Sequence, residues 1–229
     1  MTAQRQAPPI RTFKPRRRPL SPERAARFDE LAPRWCLAES GDRFDPVAEF
    51  GRDAPLVVEI GIGFGDTLLA MAEDDRSTDV VGIDVHTPGI AASLVGIDDR
   101  GLTNVRLVHG DALDFLSRVG AESLAGIRLF FPDPWPKARH RHRRMVASGR
   151  LGRLVDALAP GGVLHIATDI DDYALHAQRE CRADGRLAGG VIDRPDDRPV
   201  TRYERKGLAA GRSVTDLRYV KPTQSASAG

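Results

Sequence analysis

The sequence is poor in cysteine. Cys36 and Cys181 are the only two among 229 residues, too few for a disulfide framework. No apolar run approaches the about eighteen residues that a membrane span needs. The opening eighteen residues lack an apolar stretch and are rich in Arg and Pro instead, so export is not expected and a cytoplasmic home is. Aromatic residues make up only 6%, and four of the 34 basic residues are Lys. Basic character here therefore means Arg, and only its clustering is informative.

What is present suffices for a core, with 41% hydrophobic residues in a length that suits one domain and a short appendage. The net charge of +2 conceals two basic clusters. One is Arg11, Lys14, Arg16, Arg17 and Arg18; the other is Arg139, Arg141, Arg143 and Arg144, interleaved with His140 and His142. Such clusters suit a phosphate-rich partner, since each guanidinium can fork onto a phosphate and release counterions. The plainer alternative is a solvated face. A metal site at His140 and His142 is not expected, because four arginines repel a cation and no Cys or acid set accompanies them.

Residues 1–20 carry four prolines among basic and polar residues and read as a flexible arm. Ser21-Pro22-Glu23 then opens a short helix. Leu56–Ile60, Val80–Ile83, Val105–Val108, Ile127–Phe131 and Val163–Ile166 are short apolar runs that read as buried parallel strands. Leu151, Leu154, Val155 and Leu158 form a helical stripe closed by Pro160-Gly161-Gly162, and another helix starts near Asp171. Alternation of this kind predicts a doubly wound α/β sheet over residues 21–221. Val200–Tyr203 and Val214–Val220 suit a closing antiparallel pair, and residues 222–229 read as a disordered tail.

In such a sheet, ligands sit outside the carboxyl ends of the strands. Four of these ends carry an acid: Glu59 before Gly61-Ile62-Gly63-Phe64-Gly65, then Asp84, Asp111 and Asp133. A dinucleotide fingerprint would place a third glycine at position 66, where Asp66 stands in the path of a pyrophosphate. Glu59 ahead of Gly61, Gly63 and Gly65 instead fits S-adenosylmethionine, with Glu59 facing a positive charge, Asp84 on ribose hydroxyls and Asp111 beside adenine. For each acid alone, a helix cap is the competing role.

Phe130-Phe131-Pro132-Asp133-Pro134-Trp135-Pro136-Lys137, followed by the basic run to Arg144, closely resembles the signature of bacterial tRNA (guanine-N7)-methyltransferases. Gly82–Gly89, Leu164–Asp169 and Arg198–Gly207 resemble further blocks of that family, in order, so the resemblance spans roughly residues 10–221. It implies a class I methyltransferase fold, Rossmann-like, with a mostly parallel seven-stranded sheet, helices on both faces and a C-terminal antiparallel pair. It implies transfer of a methyl group from S-adenosylmethionine to N7 of the variable-loop guanosine of tRNA; the sequence leaves the assembly open between a monomer and a homodimer. The resemblance carries Glu59, Asp84, Asp111 and Asp133 onto cofactor contacts. It carries Lys137, Asp169, Thr201, Arg202, Tyr203 and Glu204 onto substrate contacts, and Arg139, His140, Arg141, His142, Arg143 and Arg144 onto RNA contacts. The sequence departs from the family at Asp84, where Glu is commoner, at Ala147–Arg150, at Arg212, where His is common, and at Thr215, where Trp is common.

The residues suit that chemistry. Guanine N7 has a lone pair and no proton, so its attack on a sulfonium methyl needs alignment and electrostatics rather than a general base. The product is cationic, and a carboxylate at Asp133 or Asp169 would stabilise the developing charge. Simpler roles compete: Asp133 as a turn residue before Pro134, Trp135 as a packing anchor, Asp169 as a helix cap, Thr201 and Glu204 as strand-end polar residues. Two other functions also compete, a methyltransferase for another RNA base nucleophile and a non-catalytic RNA-binding protein. Trp135, where an exocyclic-amine enzyme would carry Pro after Asp-Pro, counts against the first, and the four strand-end acids against the second.

Overall fold

A computed structural model describes residues 19–223, apart from the side chains of Arg202, Tyr203 and Lys206. The expected arm up to residue 18 and the tail from residue 224 lie outside the described residues.

Pro22 sits at the first helical position of α1 (Pro22–Trp35), where a missing N–H costs nothing, and the helix buries Leu31 and Trp35 one turn apart. It packs against α4 (Thr87–Asp99) and leads into a two-residue strand, β1 (Cys36–Leu37). The Asp45 carboxylate caps α2 (Pro46–Phe50) by accepting from Val47 N at 3.0 Å and Ala48 N at 3.2 Å.

The chain then alternates. β2 (Leu56–Ile60) leads to α3 (Asp66–Asp74), and β3 (Asp79–Asp84) to α4. β4 (Val105–His109) leads to α5 (Ala112–Leu116). After β5 (Leu124–Phe130), a 3-10 helix (Ala138–Arg143) and α6 (Arg150–Ala157) precede β6 (Leu158–Thr168). α7 (Asp171–Asp184), β7 (Ala188–Ile192), α8 (Arg202–Ala209) and β8 (Thr215–Val220) complete the fold.

All eight strands lie in one sheet of order β1-β4-β3-β2-β5-β6-β8-β7. The pairs from β1 to β6 are parallel, and β8 runs antiparallel between β6 and β7. Chain order reverses between β2 and β5, which makes their carboxyl ends the switch point where a crevice opens. β2 is buried along its whole length because helices cover both faces. Val58, Ile60, Phe115, Leu154 and Tyr173 belong to the core on one face, and Val57, Leu68, Leu94, Leu107 and Trp35 to the core on the other.

Three expectations are corrected. The sheet has eight strands rather than seven, because β1 is too short to appear as an apolar run. Val200–Tyr203 is not a strand: it leads into α8, and the antiparallel partner of β8 is β7. Gly189-Gly190 deprives β7 of alternating side chains, which hides it. Pro160-Gly161-Gly162 does not close α6 but lies within β6, where pairing with β5 shifts register between Leu124 and Gly126.

Candidate active site

The glycine turn after β2 is held by β3. Asp84 Oδ2 accepts the Gly63 N–H and Oδ1 the His86 N–H, both at 2.8 Å. Burial raises the Asp84 pKa, and these two hydrogen bonds oppose the rise. Each carboxylate oxygen accepts more than one donor, so Asp84 keeps capacity for a ligand hydroxyl. Gly65 adopts φ +81°, and a methyl group there would overlap Ser93 Oγ. Gly61 shares that φ, but nothing lies within 4 Å of where its Cβ would be. That open space belongs to a cleft lined by Gly61, Asp84, Val85, Gly110, Ala112 and Met145. An apolar floor with a carboxylate on its rim fits a nucleoside and repels a diphosphate.

Asp111, between two cleft residues, caps α5: its Oδ1 accepts Leu113 N–H at 2.9 Å. Its own N–H donates to Glu39 Oε2 at 2.9 Å, and burial raises its pKa. Glu59 is placed differently. It points to the face of β2 opposite Ile60, is 2% exposed, and has Oε2 without a hydrogen-bond partner. Its nearest cation is the partly buried Arg128 on β5, with Nη1 at 3.9 Å. Burial pushes the Glu59 carboxyl up to about 7 against the pull of Arg128.

Beyond β5, Phe131 and Trp135 adopt positive φ, 51° and 41°, on either side of Asp133. Bulky residues hold such angles only where their surroundings enforce them. Trp135 is buried, with the Arg143 guanidinium 5.0 Å from its ring centroid and His140 edge-on at 5.8 Å. It therefore packs as an anchor. The loop is also tied down at the Pro134 carbonyl, which accepts from Arg144 Nε at 2.8 Å.

Asp169 follows β6, the strand next to β5, with Phe130 in register with Ala167. It does not cap α7, whose N-cap residue is Ile170. Instead its Oδ2 accepts from Arg212 Nε at 2.8 Å, beyond α8. The strand ends thus bring Asp133 and Asp169 to one mouth of the sheet, next to the cleft.

The basic run divides. Lys137, Arg139 and His142 are exposed, and His140, Arg141 and Arg143 are half-buried. Burial and the nearby Arg143 lower the His140 pKa, so it adds little charge to the run at neutral pH. Arg144, expected among the RNA contacts, is 0% exposed and faces inward. Thr201 and Glu204 are likewise buried. Glu204 N–H donates to Thr201 Oγ1 at 2.9 Å and Thr201 N–H to Glu204 Oε2 at 3.3 Å, a capping box for α8. Glu204 also accepts from Arg198 at 2.6 Å and from Arg194 at 3.0 Å, so its carboxylate points into the protein. Arg202 and Tyr203 start α8, and their side chains lie outside the described residues.

Sequence reasoning missed Met145 in the cleft wall, Arg198 behind α8 and Glu39 under Asp111. Only Arg198 had a signal, the Thr-x-x-Glu pair that follows it. Among the described residues, no group of three or more His, Cys, Asp or Glu could hold a metal ion. No helix among them is long and apolar enough to cross a membrane.

Comparison with known proteins bears on the family and the fold. A family model described as "Putative methyltransferase" matches residues 53–217. The tRNA (guanine-N(7)-)-methyltransferase of Nitrosomonas eutropha is 41% identical, over 93% of this chain and 97% of its own. The enzyme of that name from Mycolicibacterium paratuberculosis is 42% identical, over 93% of this chain and 87% of its own. Among solved structures, a variant of the 16S rRNA (adenine(1408)-N(1))-methyltransferase from Catenulisporales acidiphilia, with its cosubstrate SAM, superposes with a TM-score of 0.55. It is 18% identical and covers 82% of this chain and 96% of its own, a likeness of fold.

Proposed function

The chain belongs to the tRNA (guanine-N7)-methyltransferases, and on that premise we propose how its cleft and strand ends divide the work. The cleft between Gly61 and Gly110 takes S-adenosylmethionine, with Asp84 on the ribose and Asp111 beside the adenine. The mouth carrying Asp133 and Asp169 takes the guanine of the variable-loop guanosine, and the exposed residues from Lys137 to Arg143 take tRNA phosphates. Residues 21–221 act as one methyltransferase domain in the cytoplasm.

The observation that carries this reading is the descent of Asp133 and Asp169 from neighbouring strands, beside a cleft of nucleoside character. S-adenosylmethionine supplies the methyl group as a sulfonium. The N7 lone pair forms the new N–C bond while the C–S pair leaves with sulfur, so no side chain has to remove a proton. The chain instead aligns the base and places a fixed negative charge where the purine becomes cationic. Asp133, on a loop held at both strained ends, is suited to that, since a preorganised carboxylate need not reorganise as charge develops. Asp169 is suited to the N1–H and N2–H donors on the Watson–Crick edge of guanine, away from N7.

Incubation with labelled S-adenosylmethionine and unmodified tRNA, followed by nucleoside analysis, tests the reading. 7-Methylguanosine is expected, and transfer should stop when 7-deazaguanosine replaces the target. Methyladenosine as the product, or undiminished transfer to the 7-deaza substrate, would overturn it.

A further inference from the structure

Arg144 is the residue whose surroundings depart most from what its sequence context suggests. It ends a run of six consecutive basic residues, yet it is wholly buried. A buried guanidinium is costly unless its donors are matched, and here they are. Nε donates to the Pro134 carbonyl at 2.8 Å and Nη1 to the Asp172 carbonyl at 3.2 Å. Nη2 donates to Asp172 Oδ2, and the guanidinium lies 5.3 Å from the Tyr173 ring centroid. The Asp172 pKa is lowered, chiefly by its hydrogen bond from Arg144.

These partners belong to two different elements. Pro134 directly follows Asp133, and Asp172 lies in the first turn of α7, three residues after Asp169. One rigid fork therefore spans the two loops that carry the two carboxylates of the mouth.

We propose that Arg144 is a positioning residue that fixes the Asp133 loop against the start of α7, setting the geometry of the two carboxylates while making no contact with RNA. This rests on the reading of Asp133 as the charge-stabilising group. A lysine cannot substitute, because its ammonium is a point charge without the planar fork needed to reach Pro134 and Asp172 together.

The test is steady-state methylation of tRNA by the full chain carrying Arg144→Lys, with S-adenosylmethionine affinity measured alongside. Turnover should fall at least about tenfold, while the KM for tRNA, its salt dependence and the cofactor Kd stay within about twofold. Asp172→Asn, at a half-exposed position, weakens the same clamp and should give an intermediate loss; it keeps the test open where the Arg144 variant fails to fold. Arg144→Lys combined with Asp133→Asn should lose little more than Asp133→Asn alone, since the clamp acts through that loop. A merely structural staple would give additive losses or a lower melting temperature with unchanged turnover, and either outcome overturns the proposal. So does a salt slope reduced by about one, the mark of a phosphate contact. Wild-type protein without guanine-N7 transfer would instead fault the functional reading itself.

Discussion

Arg198 and Asp216 share two hydrogen bonds, Nε to Oδ1 at 2.8 Å and Nη2 to Oδ2 at 2.9 Å, between side chains that are both wholly buried. His165 Nε2 lies 2.8 Å from Asp216 Oδ1, and Glu204 takes the remaining reach of Arg198. Burial works against both acids, but the hydrogen bond from Arg198 to Glu204, and those of His165 and Arg198 with Asp216, prevail and lower the pKa of each. The network fastens α8 to β8 behind the mouth of the site.

Removing one partner of such a network leaves a buried charge uncompensated. Glu204→Ala should therefore cost on the order of 3–5 kcal/mol of stability, and Thr201→Val, which removes only a cap, about 1 kcal/mol. Urea unfolding measures both. Full stability of Glu204→Ala with abolished turnover would return Glu204 to the role of a direct substrate contact.

Asp133→Asn keeps the shape of the loop and removes its charge. Turnover should drop by at least about tenfold, or about 1.4 kcal/mol of transition-state stabilisation, with the fold intact by circular dichroism. Turnover near that of the wild type would rule out an electrostatic role.

Arg139→Ala, Arg141→Ala and Arg143→Ala should each weaken tRNA binding and shallow its salt dependence by up to about one for each phosphate that is no longer neutralised. Binding titrations at several salt concentrations read this directly. If all three slopes stay at the wild-type value, these residues form a solvated face.

Glu59 makes stability depend on pH. Its carboxyl has an ordinary pKa of 4.5 and is pushed up to about 7 in the fold. Between those values the folded chain keeps a proton that the unfolded chain has released, so this residue's contribution falls as pH rises through the window. The total is at most about 3.5 kcal/mol, at about 1.4 kcal/mol per pKa unit. Glu59→Gln abolishes the effect, so its stability relative to the wild type should rise from pH 5 to pH 7 and level off above pH 8. Melting curves with the same offset at every pH would show that Glu59 titrates normally.

The parallel strands were legible because burial on both faces leaves an unbroken apolar run, as in Leu56–Ile60. The glycine turn was legible because its residues must adopt backbone angles that others avoid. β7 was not, since two glycines erase its pattern. Val200, Thr201 and Tyr203 are β-prone, and that preference masked the Thr201–Glu204 capping box, a signal present in the sequence. The division of the basic run was not legible at all. Arg139 and Arg144 are the same residue type in the same run, and only the tertiary positions of Pro134 and Asp172 decide which one faces water.

The sheet order also bears on how the molecule comes into being. β2, β3 and β4 pair with near neighbours in the chain, whereas Val57 must wait for Gly126 before β2 meets β5. Local pairings close faster than distant ones, and chains emerge from the ribosome N-terminus first. The glycine turn and Asp84 can thus assemble while Asp133 and Asp169 are still unmade, and the half with the proposed methyl-donor cleft precedes the half with the proposed acceptor mouth. Pulsed hydrogen exchange during refolding should accordingly protect amides of β3 and β4 before those of β6 and β8. Simultaneous protection would mean that the two halves form as one unit.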